Sequence, residues 1–331
     1  MKRKARARVI VVLALATILS LVATACSSRN AVNRPKNTKA GGSGGYGYTV
    51  DVVTHGGAGD SFWSIVKAGA TQAGKDMGVT VNYQSDGDPT NQSKLIDAAV
   101  NGKPNGLVVS MANPAALKTS VENAIKAGIP TIVINSGEQE AFQYGALSYI
   151  GSDEQVAGEA VGAQLKKDGK KNVLCVIQEA GNVSLETRCA GVKSGLGGTV
   201  TNLQVDNNNL SAATSIIQAK LQSDKSIDAV VTLGAQVAKS ASDGISAAGS
   251  SAELATFDLN GDVAQAILDG KISFAVDQQP YLQGYLAVVM LVQYKYNLNV
   301  VGGGQPTLTG PNLITKANAQ AVLDFTKRGT R

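Results

Sequence analysis

The residues best placed to do chemistry stand just after short apolar runs, at 55–60, 135–136, 178–182, 234–236, 258 and 278–279. These stretches hold carboxylates, amides and hydroxyls, which suit a network of hydrogen bonds to a hydroxylated molecule. They hold no nucleophile set beside a base. His55 is the only histidine in 331 residues, which argues against zinc sites built on several imidazoles and against Ser–His–Asp arrangements. Asp60 and Asp258 are the acids a hydrolytic carboxylate pair would draw on, and they suit binding better than cleavage. No cofactor is expected: residues 55–60, HGGAGD, do not fit the spacing of a dinucleotide loop. No metal is expected either, because the series Asp258-x-Asn260-x-Asp262 lacks the glycine and glutamate of a calcium loop.

The apolar runs read as strands: TVDVVT (49–54), VTVNY (79–83), GLVVS (106–110), IPTIVI (129–134), NVLCVI (172–177), VTNLQV (200–205), IDAVVTL (227–233), ELATF (253–257) and ISFAVD (272–277). Helical patterns separate them. One covers 61–77, with Phe62, Ile65, Val66, Ala73 and Met77 on one face and Gly78 at its end. Others cover 90–101, 154–167, 185–196, 211–223, 236–248 and 261–269, and one opens at Asn113-Pro114 and closes at Gly128. Strands joined by crossover helices build parallel sheets, and continuous apolar runs imply helices on both faces. The length fits two such sheets, an α/β protein. Ligands of open α/β sheets bind beyond the carboxyl ends of the strands, where the polar stretches fall.

The first residues have another purpose. Lys2, Arg3, Lys4, Arg6 and Arg8 precede an apolar run over 9–22, then Ala23, Thr24, Ala25 and Cys26. This pattern is an export signal. It resembles a bacterial lipoprotein signal over 1–25, whose Cys26 becomes the lipidated first residue of the mature chain, although Ala23 stands where leucine is usual. A cleaved secretory signal or an anchor helix are the alternatives. Residues 26–47 are Gly-rich and polar and read as a flexible tether. Nine of the 30 basic residues and none of the 25 acidic ones precede Tyr48. The remainder carries 21 bases against 25 acids, a mildly acidic part that argues against a nucleic-acid partner. The basic tether would lie near anionic headgroups. Beyond Cys26, Cys175 and Cys189 form an even pair in an oxidising compartment. They are either two buried thiols or a disulfide closing a loop of about 15 residues, worth about 3 kcal/mol.

Six segments in order then carry a resemblance: VVTHGGAGDSFWSIVKAGA, AIKAGIPTIVIN, YIGSDEQVAGEAVGAQL, ETRCAGVKSGL, ATFD at 255–258 and DGKISFAVDQQPYLQGYLAV. The chain resembles the periplasmic sugar-binding proteins of ABC importers, of the ribose and galactose/glucose type, from about Tyr48 to Lys327. The resemblance implies two Rossmann-like lobes joined by crossing hinge strands (the type I periplasmic binding protein fold). Lobe 1 would hold 48–151 plus 279–307, and lobe 2 would hold 152–278 plus 308–331. It implies a monomeric, lipid-anchored receptor on the extracytoplasmic face of the cell membrane. The receptor would deliver a monosaccharide or polyol to an ABC permease without turnover. A sensor signalling to a chemoreceptor, kinase or quorum system is the alternative.

The resemblance also implies the site. Asp60 and Asn135 match polar ligands of the first lobe, and Phe62 or Trp63 matches an aromatic plate against the sugar ring. Adjacent helical residues point apart, so one of the two is expected in the core and the other in the cleft. Arg188, Asn182 and Ser184 match ligands from the second lobe, Asp258 a carboxylate ligand and Gln278 an amide at the hinge. Planar carboxylate, amide and guanidinium groups can each engage two vicinal hydroxyls, and an Asp–Arg pairing around a neutral ligand satisfies both charges. Asp258 could instead cap the helix near 261, as could Asn260 or Asp262. Arg188 could instead form a surface ion pair. Two departures lean away from ribose: Gly234 where the ribose type has Asn, and Asn135-Ser136 where it has Asp-Arg.

Overall fold

The computed structural model describes residues 47–57 and 59–331. The export signal, Cys26 and the tether up to residue 46 lie outside the described residues. Two six-stranded sheets form the frame. The first contains β1 (Thr49–Thr54), β2 (Thr80–Ser85), β3 (Gly106–Val109), β4 (Thr131–Ile134), β5 (Ser148–Ser152) and β11 (Thr307–Gly310), in the order β11-β5-β4-β3-β1-β2. All its pairings are parallel. The second contains β6 (Asn172–Ile177), β7 (Thr199–Gln204), β8 (Ala229–Thr232), β9 (Glu253–Phe257), β10 (Phe274–Asp277) and β12 (Asn312–Thr315), in the order β12-β10-β9-β8-β6-β7. Only β12 runs antiparallel there, against β10.

Helices α1 (Ser61–Met77), α2 (Pro89–Gly102), α3 (Pro114–Lys126) and α4 (Glu138–Gln143) join the strands of the first sheet. The strands of the second are joined by α6 (Val183–Leu196), α7 (Leu210–Ser223), α8 (Ala235–Ala247) and α9 (Gly261–Leu268), and α5 (Glu154–Lys167) leads into them from β5. Each sheet is buried on both faces. Val173 and Cys175 of β6 face one apolar cluster, while Leu174 and Val176 face another. This alternation is why the sequence runs are apolar throughout rather than every second residue. Among the described residues no helix is long and apolar enough to cross a membrane.

The chain passes between the sheets three times: after β5, after β10, and between β11 and β12 through the cis Gly310–Pro311 peptide. Because β11 stays with the first sheet through Gly310, the third passage lies three residues beyond the expected boundary at 307. After β10 the chain returns to the first sheet as α10 (Pro280–Asn297), and after β12 it ends with α11 (Ala319–Lys327). A polar network ties the passages together. Gln279 Nε2 donates to the Thr309 carbonyl at 2.8 Å, Thr309 Oγ1 donates to the Gly151 carbonyl at 3.3 Å, and Gln283 Nε2 donates to the Gln278 carbonyl at 3.3 Å. The elements that the strand and helix patterns miss (β5, α4, α10, β11, β12 and α11) gather around these passages.

Two features fix α6. Cys175 of β6 and Cys189 of α6 form a disulfide, with Cα atoms 5.9 Å apart. On its other side α6 packs against α5 at Gly158 and Gly191, where a Cβ on either glycine would lie 2.9 Å from the Cα of the other. Only glycine permits that approach, and it brings the side chains of the two helices within reach of each other.

Candidate ligand-binding site

The carboxyl ends of both sheets face one another across a cavity of about 50 Å³ accessible to water centres. By that measure it has room for a few water molecules. All nine side chains expected at the site line it: Asp60, Phe62, Trp63, Asn135, Asn182, Ser184, Arg188, Asp258 and Gln278. The two sheets contribute by matching positions. Asn135 follows β4 and Asp258 follows β9, each the third strand of its sheet, and their φ values are 66° and 68°. Asn and Asp are the non-glycine residues that best tolerate this left-handed region. The backbone N–H groups of both bond to the neighbouring strand, Asn135 to Ile150 at 2.9 Å and Asp258 to Val276 at 2.8 Å. Asp60 and Asn182 match in the same way, since each caps the helix after the first strand of its half-molecule. Asp60 Oδ1 accepts from the Phe62 N–H at 2.9 Å, and Asn182 Oδ1 from the Ser184 N–H at 3.0 Å.

Phe62 and Trp63 both line the cavity, and both are buried in the apolar cluster of the first sheet. The expectation that one faces the core and the other the cleft is therefore corrected. They sit in the first turn of α1, whose end points at the cavity, so neighbouring directions on the helix both reach it. Their rings meet edge to face at 5.1 Å, and His55 continues the array at 4.6 Å from Trp63. His55 Nδ1 lies 2.7 Å from Ser110 Oγ. Burial, assisted by the positive charge of Arg188, lowers the His55 pKa to about 3, so its ring is neutral at physiological pH.

Arg188 is 3% exposed, which excludes a surface ion pair. Its Nε and Nη2 grip the Glu154 carboxylate at 2.5 and 2.8 Å, Nη1 donates to the Leu233 carbonyl at 3.2 Å, and the guanidinium lies 4.7 Å from the centre of the Phe257 ring. The direct partner is thus Glu154 rather than Asp258. Burial works against both charges, but the Glu154 carboxylate more than compensates at Arg188, whose pKa moves upward. The α5–α6 packing makes this pairing. An acid in the first turn of a helix also reads as a helix-start preference, which hid the role of Glu154 in the sequence.

Asp258 accepts from Gln278 Nε2 at 2.5 Å. Burial pushes its carboxyl up to about 7, with Arg188 and the Gln278 hydrogen bond pulling the other way. Capping of α9 falls to Asn260, whose Oδ1 accepts from the Val263 N–H at 2.8 Å, which leaves Asp258 to the cavity. Burial and the nearby Glu179 raise Asp60 to about 6. Gln178, Glu179, Asn207 and Gln236 also line the cavity. All but Asn207 lie in strand-end stretches that the sequence marks. Gln178 uses the room left by Gly234, where a Cβ would come within 2.9 Å of its amide nitrogen. The buried Oε1 atoms of Gln178 and Gln278 have no hydrogen-bond partner.

Asn182 and Ser184 spend their polar groups on protein. Asn182 Nδ2 donates to Glu179 at 2.7 Å, and Ser184 Oγ lies 2.7 Å from Ser136 Oγ across the cleft. The Val183 N–H donates to the Ala112 carbonyl at 3.0 Å, and Gln236 Nε2 to the Gly59 carbonyl at 2.9 Å. These bonds join elements of the two sheets directly, so the cleft is closed.

Comparison with known proteins agrees with this architecture. A carbohydrate transporter from Acidothermus cellulolyticus 11B, solved in complex with myo-inositol, is 43% identical with a TM-score of 0.85, over 86% of this chain and 100% of that one. The xylose/arabinose-binding protein of Sulfolobus acidocaldarius is 27% identical over 269 residues, 73% of this chain and 65% of its own length. The ribose import binding protein of Bacillus subtilis is 27% identical over 236 residues, 68% of this chain and 75% of its own. The profile described as periplasmic binding protein domain matches residues 50–297. The chain belongs to the periplasmic binding protein family.

Proposed function

We propose that this chain is an extracytoplasmic receptor that captures a single-ring sugar or cyclitol and delivers it, without turnover, to an ABC permease. The observation that carries this reading is the closed cavity with two buried amide oxygens, Gln178 Oε1 and Gln278 Oε1, lacking partners. Each such acceptor is costly unless a donor arrives, and a ring bearing hydroxyls supplies donors on several sides. Asp60, Asn135, Arg188 and Asp258 complete the polar shell, Phe62 and Trp63 pack on the C–H face of the ring, and Asn182 and Ser184 hold the rim closed. The inositol-bound relative at 43% identity makes myo-inositol the first ligand to try.

In this reading the lobes are residues 48–151 with 279–310, and 152–278 with 311–331, hinged at the three passages. Cys26 carries the lipid, residues 26–47 tether the clamp to the outer face of the cell membrane, and the receptor acts as a monomer. Trp63 is the only tryptophan in the chain and lines the cavity, so its fluorescence should report binding without an added probe. Titration with myo-inositol, then pentoses, hexoses and linear polyols, alongside calorimetry, tests the proposal. A saturable signal without product supports it; no signal from any of them at millimolar concentration rejects it.

A further inference from the structure

The end of the first sheet opposite the cavity carries an apolar surface that the fold leaves uncovered. After α10, Leu298 is 73% exposed and has a φ of 53°. Tyr296, Val300 and Val301 beside it in sequence are about half exposed. A leucine held in the left-handed region with its side chain in water is unfavourable on both counts. The hollow beside Leu298 is edged by Lys103 and Lys295, and no acid lines it. On a folded part with more acids than bases, this is a local reversal of charge. It is also where the chain enters the fold: the Tyr48 ring lies 6.4 Å from that of Tyr296, and the Tyr48 hydroxyl donates to the Leu291 carbonyl at 3.1 Å. The described chain therefore begins at this face, and residues 26–47 hold four more basic residues and no acid.

We propose that this face rests on the anionic lipid surface to which Cys26 is anchored. The proposal rests on the lipid-anchor reading above. Apolar side chains beside two lysines match the boundary between headgroups and acyl chains. This face is where the described chain begins, next to the segment that carries the anchor in that reading. Contact here leaves the cavity, at the opposite ends of the strands, clear of lipid.

The test uses full-length lipidated protein in vesicles of phosphatidylcholine and phosphatidylglycerol carrying a headgroup quencher. Leu298→Cys and, in the second sheet's layer, Lys239→Cys receive the same fluorophore, since Cys175 and Cys189 are bonded to each other. Quenching at 298 that exceeds quenching at 239, grows with the phosphatidylglycerol fraction and weakens in salt supports the proposal. In the unlipidated Cys26→Ser chain, Lys295→Gln should lower partitioning into the same vesicles by about five-fold. Equal quenching at both sites, with the protein still sedimenting with vesicles, overturns the lipid face and leaves the anchor standing. Failure of the wild-type chain to acquire lipid overturns the anchor and this proposal with it. A probe at 298 that is already buried without vesicles, or buried only as protein concentration rises, assigns the face to the tether or to a second copy and also overturns it.

Discussion

The two sheets present the cavity with different chemistry from nearly the same scaffold. On the first, the loop after β1 brings a neutral imidazole, the first turn of α1 brings two aromatic rings, and the strand-end residue is an amide, Asn135. On the second, the matching strand-end residue is the carboxylate Asp258, and behind it lies the buried ion pair of Arg188 and Glu154. The second half is also the one that is cross-linked, between Cys175 and Cys189. Identical strand order therefore sets where side chains stand but not what they are. One half offers mainly surface for a ring face, with Asp60 at its edge. The other offers charge held in place, and holding charge in a buried site takes additional structure.

The largest test of that contrast is the ion pair. Arg188→Ala leaves the Glu154 carboxylate buried and alone, and should cost about 3–5 kcal/mol of stability in denaturant unfolding. The double change Arg188→Met with Glu154→Leu should recover most of that stability while ligand binding stays lost, separating the structural part of the arginine from its part in recognition. Next comes the cross-link. Cys175→Ser with Cys189→Ser should lower stability by about 3 kcal/mol, read by the same unfolding experiment.

Exchanging the matching strand-end residues probes the contrast at the ligand. Asp258→Asn keeps the shape and the left-handed backbone but removes the charge. It should weaken binding by about 1.5–3 kcal/mol, the range for hydrogen bonds to charged groups, and Asn135→Asp should weaken it less. Calorimetry with the cognate ligand decides; equal losses would mean that the two halves share recognition evenly.

A last test is in pH, where His55 opposes Asp258, while the raised carboxyl of Asp60 in the first half sides with Asp258. His55 has a pKa of about 3 when folded against 6.5 otherwise, so the unfolded chain binds the extra proton, and stability is lost as pH falls from 6.5 toward 3. Asp258 has a pKa of about 7 against 3.8, so the folded chain binds the extra proton, and stability is lost as pH rises from 3.8 toward 7. Unfolding midpoints measured between those limits should tilt one way in His55→Gln, which becomes more stable toward acid, and the other way in Asp258→Asn.

Most of the frame is legible in the chain. The nine runs read as strands in sequence correspond to β1–β4 and β6–β10, with edges moved by one or two residues, because continuous β-branched runs between capped helices leave few other folds open. The polar stretches at strand ends are legible for the same reason: the sheet aims them at one place. The elements that escaped cluster at the passages between sheets, and all but the 18-residue α10 are short. YIGS and TLTG carry too few apolar residues to mark a strand, and tertiary pairing is what makes them strands. Glu154 escaped because one acid at a helix start satisfies two readings. The Phe62–Trp63 geometry escaped because helical periodicity describes the middle of a helix, not an end that points into a cavity.

By itself the sequence determined an α/β chain with two parallel sheets, the polar residues at their carboxyl ends and the absence of a His-based catalytic set. Those follow from local periodicity and composition, which act over a few residues. Only the tertiary structure decided which charges meet, that Arg188 is held by Glu154, that Cys175 and Cys189 are joined, and that two buried glutamine oxygens beside the cavity are left without partners. Such pairings depend on helix approach and strand register across long stretches of chain, and no local pattern encodes a distance between residues that are far apart in sequence.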